Sequence, residues 1–408
     1  MKRLLAAAAL LYSALHFAMA GVRQPLANFY GDFLAAFPSW TLAARFGRLD
    51  FFRGQLAERW SGYFGHAHSW HYGPLLHFVT IPLFAFPTLR SAYVAWLFVN
   101  YAIVAAAAVV AMFVVDRGRP TATTIVVVLV LFANFNPLYE ALTERVIELS
   151  ELLLLFAAFA WLQRGRNAAA GAAVGAAAMM KFLPLIFVPH FVLKGRWRGV
   201  AGASAVIAVV AIATQFVLGW QHSGIFHQLA GGAIVSSELD QSLPGFLRRL
   251  FGWMHWPAVA TVSRLAILAA LGALCLFMLY VRRCEGTDDL EWSVLAIAMI
   301  LFLPHNQQYY MVFLLFPYLM LYARYRQRWT WRALPAAVSL LLVAAPVPFS
   351  LFGPDAFPRY LRAGIPFVGA AILAAVLVRE LSACRVQFPG RSQHVPGRDV
   401  LESQRLPQ

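Results

Sequence analysis

Charge is scarce in this chain. Only 12% of its 408 residues are Asp, Glu, Lys or Arg, about half the share of a soluble globular protein. Such a surface does not suit a soluble enzyme. Acids are scarcer still, 18 against 33 basic residues, for a net charge of +15. Cysteine is nearly absent: Cys275, Cys284 and Cys384 have neither the spacing of a metal site nor that of a disulfide framework. No glycine-rich phosphate loop and no convincing internal repeat is visible. What is present is apolar: 61% of residues are hydrophobic, gathered in repeated runs of the ~17–25 residues that span a bilayer. The expected class is an all-α polytopic membrane protein. Its positive charge sits in short arginine-rich loops, so it reports orientation and contact with anionic lipid, not nucleic acid.

Met1-Lys2-Arg3, an apolar stretch to Phe17 and then Ala18-Met19-Ala20 have the shape of a signal peptide. An uncleaved first span is favoured, because later spans already commit the chain to the membrane. The long loop at 22–72 follows. Its five arginines against three acids would by themselves place it in the cytoplasm. The loops with Arg117/Arg119, Arg164/Arg166, Lys194/Arg196/Arg198, Arg282/Arg283 and Arg324/Arg326/Arg328/Arg332 form a more consistent cytoplasmic set, and parity puts 22–72 outside. Two amphipathic segments within it, 32–46 and 50–63, suit helices lying in the interface. The apolar segment after Tyr72-Gly73-Pro74 is expected to be short or not to cross fully. Between Ala168 and Leu193 both flanks are basic, so two short helices broken near Lys181 and Pro184 are expected. Gly171 and Gly175 have the small-xxx-small spacing of close helix packing. About twelve spans result. The transmembrane domain covers 1–384, with a second outer loop at 220–257, and a disordered cytoplasmic tail covers 385–408. The expected location is the cell membrane, multi-pass, with both termini cytoplasmic.

Asp32, in Tyr30-Gly31-Asp32-Phe33, is a lone carboxylate among aromatics just outside the bilayer. It suits a general base and equally a helix N-cap. Lys181 is costly at membrane depth and so marks a functional site or a snorkelling cation. Arg248 and Arg249 suit a lipid phosphate, or a solvated helix face. Pro304-His305-Asn306-Gln307-Gln308-Tyr309-Tyr310 is a polar knot between apolar spans, and each of its groups needs a partner. His66, His68, His71 and His77 have no Cys or paired acid beside them, and interfacial histidines are preferred to a metal site. Glu140, Glu144, Glu148 and Glu151 recur at helical spacing and are read as one polar face at a cavity mouth, with Arg145 pairing to Glu148.

Several of these motifs occur together in a telling order. Asp32-Phe33 lies in the first outer loop, and Tyr72-Gly73-Pro74 opens a short apolar segment. A small-residue helix ends in Lys181-Phe182-Leu183-Pro184, with Lys194-Gly195-Arg196-Trp197-Arg198 after it. The Gln241-Ser242-Leu243-Pro244 loop is followed by Arg248. The series resembles the polyprenol-phosphate-dependent mannosyltransferases of glycosyltransferase family 87, which have the GT-C fold. The family often has Tyr-Pro-Pro where this chain has Tyr72-Gly73-Pro74. A Gly-Gln pair commonly precedes its middle span, where this chain has Glu144-Arg145 and Glu148.

The resemblance implies a GT-C-type bundle that transfers a sugar, most readily mannose, from a polyprenyl-phosphate donor to a hydroxyl of a glycolipid or glycan, outside the cytoplasm and with inversion. It implies Asp32 as general base. Lys181, Arg248, His305, Gln308 and Tyr309 would contact the donor phosphate or sugar, and Tyr72, Glu144 and Glu148 would line the cavity. No cofactor or metal is required, because cationic side chains can stabilise a departing phosphate. The rival is a transporter or lipid-linked-sugar flippase using the same cavity, with Lys181 as substrate ligand and the glutamates as a proton relay.

Overall fold

The computed structural model describes residues 2–27, 73–218, 239–251, 256–281, 284, 286–302, 306–327, 331–345, 353 and 355–383. Every element among them is helical. Most of the first outer loop and of the second, and the tail from 385, lie outside the described residues.

Helix α1 (Lys2–His16) runs on through a π-helical stretch at Phe17–Arg23. α2 (Pro74–Thr80) is short, and α3 (Leu89–Asp116) is long. α4 (Ala122–Phe132) bends by 58° into α5 (Asn136–Glu144). α6 (Glu148–Gln163) and α7 (Asn167–Met180) lead to the break at Lys181. α8 (Val188–Leu193), α9 (Trp197–Leu218), α10 (Leu243–Leu250) and α11 (Trp256–Val281) follow. α12 (Asp288–Leu301), α13 (Leu315–Tyr325), α14 (Leu334–Ala344), α15 (Ala356–Arg362) and α16 (Ile365–Ser382) complete the chain. Among the described residues, five helices are long and apolar enough to cross a membrane, or six if the bent α4–α5 pair is one span; shorter apolar helices lie between them.

The basic loops meet at one end. Arg326 pairs with Asp116, Arg324 with Asp289 at 2.6 Å, and Arg196 with Asp288 at 2.7 Å. Gln163 at the end of α6 donates to Val114 O at 3.2 Å, near the end of α3. At the other end of the same two helices Trp96 Nε1 donates to Arg145 O at 3.2 Å, so α3 and α6 run parallel. The 16 residues of α6 separate the two ends by about 24 Å.

The expected break in the small-residue helix is present. Lys181 leaves α7 in extended conformation. A 3-10 turn at Leu183–Phe187 and α8 then return the chain to the basic end. α9 rises again beside α7, with Gly171 against Gly199 and Gly175 against Ala203, which makes the two helices parallel. A Cβ on Gly171 would lie 1.8 Å from Gly199 O, so Gly171 is what permits this approach. Gly171→Ala is expected to cost at least about 1–3 kcal/mol by overpacking, read as a lowered melting temperature in detergent.

α1 is packed into the bundle. Asn134 Nδ2 donates to Ser13 Oγ at 2.6 Å, and its Oδ1 meets His16 Nδ1 at 3.3 Å. Tyr101 OH donates to Gly21 O at 2.8 Å. The stretch Leu4 to Ala20 is thus packed against α3 and α4.

Three expectations need correction. The outer turn read between Pro137 and Arg145 is helix α5, because Pro137 at its start and Asn136 before it suit a first helical turn. The four glutamates do not share one face. The chain reverses at Arg145, which has φ of 55°, and this leaves Glu140 and Glu144 on α5 and Glu148 and Glu151 on α6. Cys284 is disulfide-bonded, although the cysteine spacing gives no sign of it; Cys275 is free and exposed.

Candidate active site

At the end of the bundle opposite the basic loops, the first turn of α6 meets the break after α7. Lys181 is buried and its Nζ lies 2.5 Å from Glu148 Oε1. The same ammonium donates to Tyr310 OH and sits 4.2 Å from the centre of that ring. Snorkelling is excluded, since the Lys181 side chain is only 11% exposed. Glu148 pairs with Lys181 rather than with Arg145, contrary to the helical-spacing expectation. Arg145, fully buried, stacks over the Tyr93 ring at 3.3 Å and donates to Thr143 O at 2.8 Å and to Pro25 O. It therefore fastens the beginning of the first outer loop to the turn that starts α6.

Other separated segments come to the same place. Gly73 N donates to Met180 O at 2.6 Å, one residue before Lys181. A Cβ at Gly73 would lie 2.2 Å from Met179 O. Proline, common here in the resembling family, has no N–H to make this bond. The second outer loop carries a polar clasp on the late turn: Gln241 N donates to Asn306 O at 2.7 Å, while Asp240 Oδ1 accepts from Asn306 N and Ser242 N at 2.8 Å each. Ser242 caps α10 through Gly245 N at 3.2 Å. Beyond Asn306 the 3-10 helix Gln308–Leu314 carries Tyr309 stacked on Tyr310 at 4.7 Å.

The predicted site residues divide accordingly. Lys181, Glu148 and the turn bearing Gln308 and Tyr309 come together, with Gln308 and Tyr309 buried. Arg248 lies on α10, which the clasp ties to that turn, and is half-buried. Glu144 ends α5, before the Arg145 reversal and apart from Glu148's pairing. Asp32, Tyr72 and His305 lie outside the described residues, as do His66, His68 and His71. The described chain ends at Ala27 and resumes at Gly73, both beside this cluster through Arg145 and Met180. Tyr310 and Asn306 were visible only as members of a polar knot; their partners come from loops about 65 to 130 residues away in sequence, a distance no local signal bridges.

A second charged cluster lies at the basic end. His190, Asp288 and Glu291 bring ligand atoms within 4.8 Å of one another, a donor set that suits a metal. Their partners are already supplied. Trp292 Nε1 donates to His190 Nδ1 at 3.2 Å, so Nε2 carries the proton and donates to Glu291 Oε2 at 3.0 Å. Lys194 holds the other Glu291 oxygen at 2.7 Å, and Arg196 binds Asp288 in bidentate fashion at 3.0 and 2.7 Å. Burial pushes the Asp288 carboxyl up, but hydrogen bonds from His190 and Arg196 and the Arg196 charge outweigh it and hold it well below the usual carboxylate range. This network ties the returning helix α8 to α12. The histidine in Val188-Pro189-His190 gave no sequence signal of that role.

No curated protein matches this chain. The profile of glycosyltransferase family 87 matches residues 70–304, more than half of the chain. That region holds Gly73, the broken helix at Lys181 and the Gln241-Ser242 clasp. With its all-helical membrane-type bundle, the chain belongs to glycosyltransferase family 87 and is a membrane glycosyltransferase.

Proposed function

We propose that the protein transfers a hexose, in the first instance mannose, from a polyprenyl-phosphate donor to an acceptor hydroxyl, through a twelve-pass GT-C-type bundle with its site on the extracytoplasmic side. One observation carries this reading. Four segments far apart in sequence, at Gly73, Lys181, 240–242 and 306–310, are hydrogen-bonded together at the end opposite the arginine-rich loops. The positive-inside rule places those loops in the cytoplasm.

In this reading Asp32 takes the proton from the acceptor hydroxyl. The oxygen attacks the anomeric carbon from the face opposite the phosphate, the glycosidic bond to phosphate breaks, and polyprenyl phosphate leaves carrying the electron pair. Inversion follows from that single in-line displacement. Arg248 at the end of its half-buried helix suits the phosphate, and Lys181, Gln308 and Tyr309 serve the sugar end of the donor. A lipid donor is further supported by a groove of about 580 Å³ beside α1, lined by Leu10, Phe17, Phe98, Tyr101, Leu129 and Leu138 among others. It leads to Val22 at the start of the first outer loop, and an isoprenoid chain suits its apolar walls.

The donor class is tested by offering membranes labelled mannose either as polyprenyl phosphate or as a nucleotide sugar. Transfer from the lipid donor alone is expected. Direct transfer from the nucleotide sugar, in membranes lacking any synthase for the lipid donor, overturns the proposed donor.

A further inference from the structure

Glu148 and Glu151 stand one helical turn apart at the start of α6 and both are completely buried. Lys181 satisfies one oxygen of Glu148. The second oxygen of Glu148 and both oxygens of Glu151 have no hydrogen-bond partner among the described residues. Glu151 is within electrostatic reach of Glu148 and Lys181. Three carboxyl oxygens are therefore left without a donor, and the one ammonium within reach is already engaged by Glu148 and Tyr310.

Helix polarity accounts for part of this. Carboxylates in a first turn are stabilised by the dipole, but only by about 0.3–2 kcal/mol, and neither carboxylate oxygen here gains a donor from it. An unpartnered buried polar group costs about 1–3 kcal/mol, and more when charged. Among the described residues Arg145 does not serve as a second cation here, because it is turned to Pro25 and Tyr93. Phosphate is disfavoured at this spot, since two carboxylates face a single lysine. The complementary ligand is a neutral group rich in O–H donors, that is, the ring hydroxyls of a sugar.

We propose that Glu151 and the free oxygen of Glu148 accept hydrogen bonds from hydroxyls of the transferred sugar, with Lys181 acting as their internal counter-ion rather than as a phosphate ligand. The proposal rests on the glycosyltransfer reading above and assigns the specificity of that site. It also gives a role to the Glu148 region, where this chain departs from the Gly-Gln of its family. A site built to bind a hydroxyl discriminates strongly against the analogue lacking it, because its own polar groups are then left unpaired.

The test uses the full-length protein in membranes, with polyprenyl-phosphate hexose and its monodeoxy analogues as donors. Glu151→Gln is isosteric and replaces one acceptor oxygen by an N–H donor. It is expected to lower kcat/KM for the parent donor about 10–100-fold, the cost of leaving one buried hydrogen-bonding group unsatisfied. It should leave the analogue lacking the contacted hydroxyl nearly unaffected. The melting temperature of the unliganded variant should be close to that of the wild type, because the Glu151 carboxyl has no hydrogen-bond partner to lose among the described residues. Glu151→Asp, which keeps the carboxyl and shortens the reach, should fall between the two. If the variants lose the same factor with every analogue and melt lower, the glutamate is structural and the proposal is overturned while the glycosyltransferase reading stands. If the wild type consumes no lipid-linked hexose at all, the functional reading falls and this proposal falls with it.

Discussion

Asp32→Asn is expected to lower transfer about 10²–10⁴-fold, the usual worth of a positioned general base. The loss should appear in kcat, with KM little changed, since an amide keeps the shape of the carboxylate but accepts no proton. The substitution separates the two roles the sequence allows at this position. Asparagine caps a helix N-terminus as well as aspartate does, so a purely structural Asp32 would be replaced at no cost in rate or stability. Transfer at the wild-type rate removes Asp32 from the mechanism. A fall in rate with an unchanged melting temperature assigns it to the chemistry.

Lys181→Met is expected to be the most damaging single change to the fold. It leaves Glu148 and Glu151 buried together with no cation near them, and breaking a buried ion pair from one side costs about 3–5 kcal/mol. Little folded protein should reach the membrane. Pairing it with Glu148→Gln removes the stranded charge, and the double variant should recover more than half of the lost stability. Activity should not return, because the counter-ion and one acceptor of the sugar site are both gone. Full stability of the single variant would contradict the buried pair. A double variant no better than the single one would mean that Lys181 acts through contacts other than Glu148.

Much of this arrangement was legible in the residues. The break at Lys181 followed from a lysine and a proline in an otherwise apolar, glycine-spaced run with basic flanks at both ends. The gathering of the arginine loops followed from their shared charge together with the parity of the spans between them. The polar knot near Asn306 drew notice because buried polar groups need partners, and Asp240 and Gln241 are those partners. The pairing of Arg145 was not legible. Its spacing from Glu148 suggests an ion pair only if the helix is continuous, and the left-handed backbone at Arg145 breaks it. No glycine marks that turn. Glu148 instead finds Lys181, 33 residues on, a tertiary choice outside any helical periodicity. The His190 network stayed hidden for the same reason: its partners Glu291 and Trp292 lie about 100 residues away.

Glycosyl transfer and lipid translocation would use the same polar cavity, and they differ in whether a bond is broken. The decisive measurement follows purified protein in proteoliposomes with polyprenyl-phosphate mannose, labelled in the sugar, and a hydroxyl-bearing glycolipid acceptor. The expected result is one free polyprenyl phosphate for each labelled acceptor, with the new linkage inverted at the anomeric carbon. Intact labelled donor that crosses to the other leaflet, with no polyprenyl phosphate released, would contradict it.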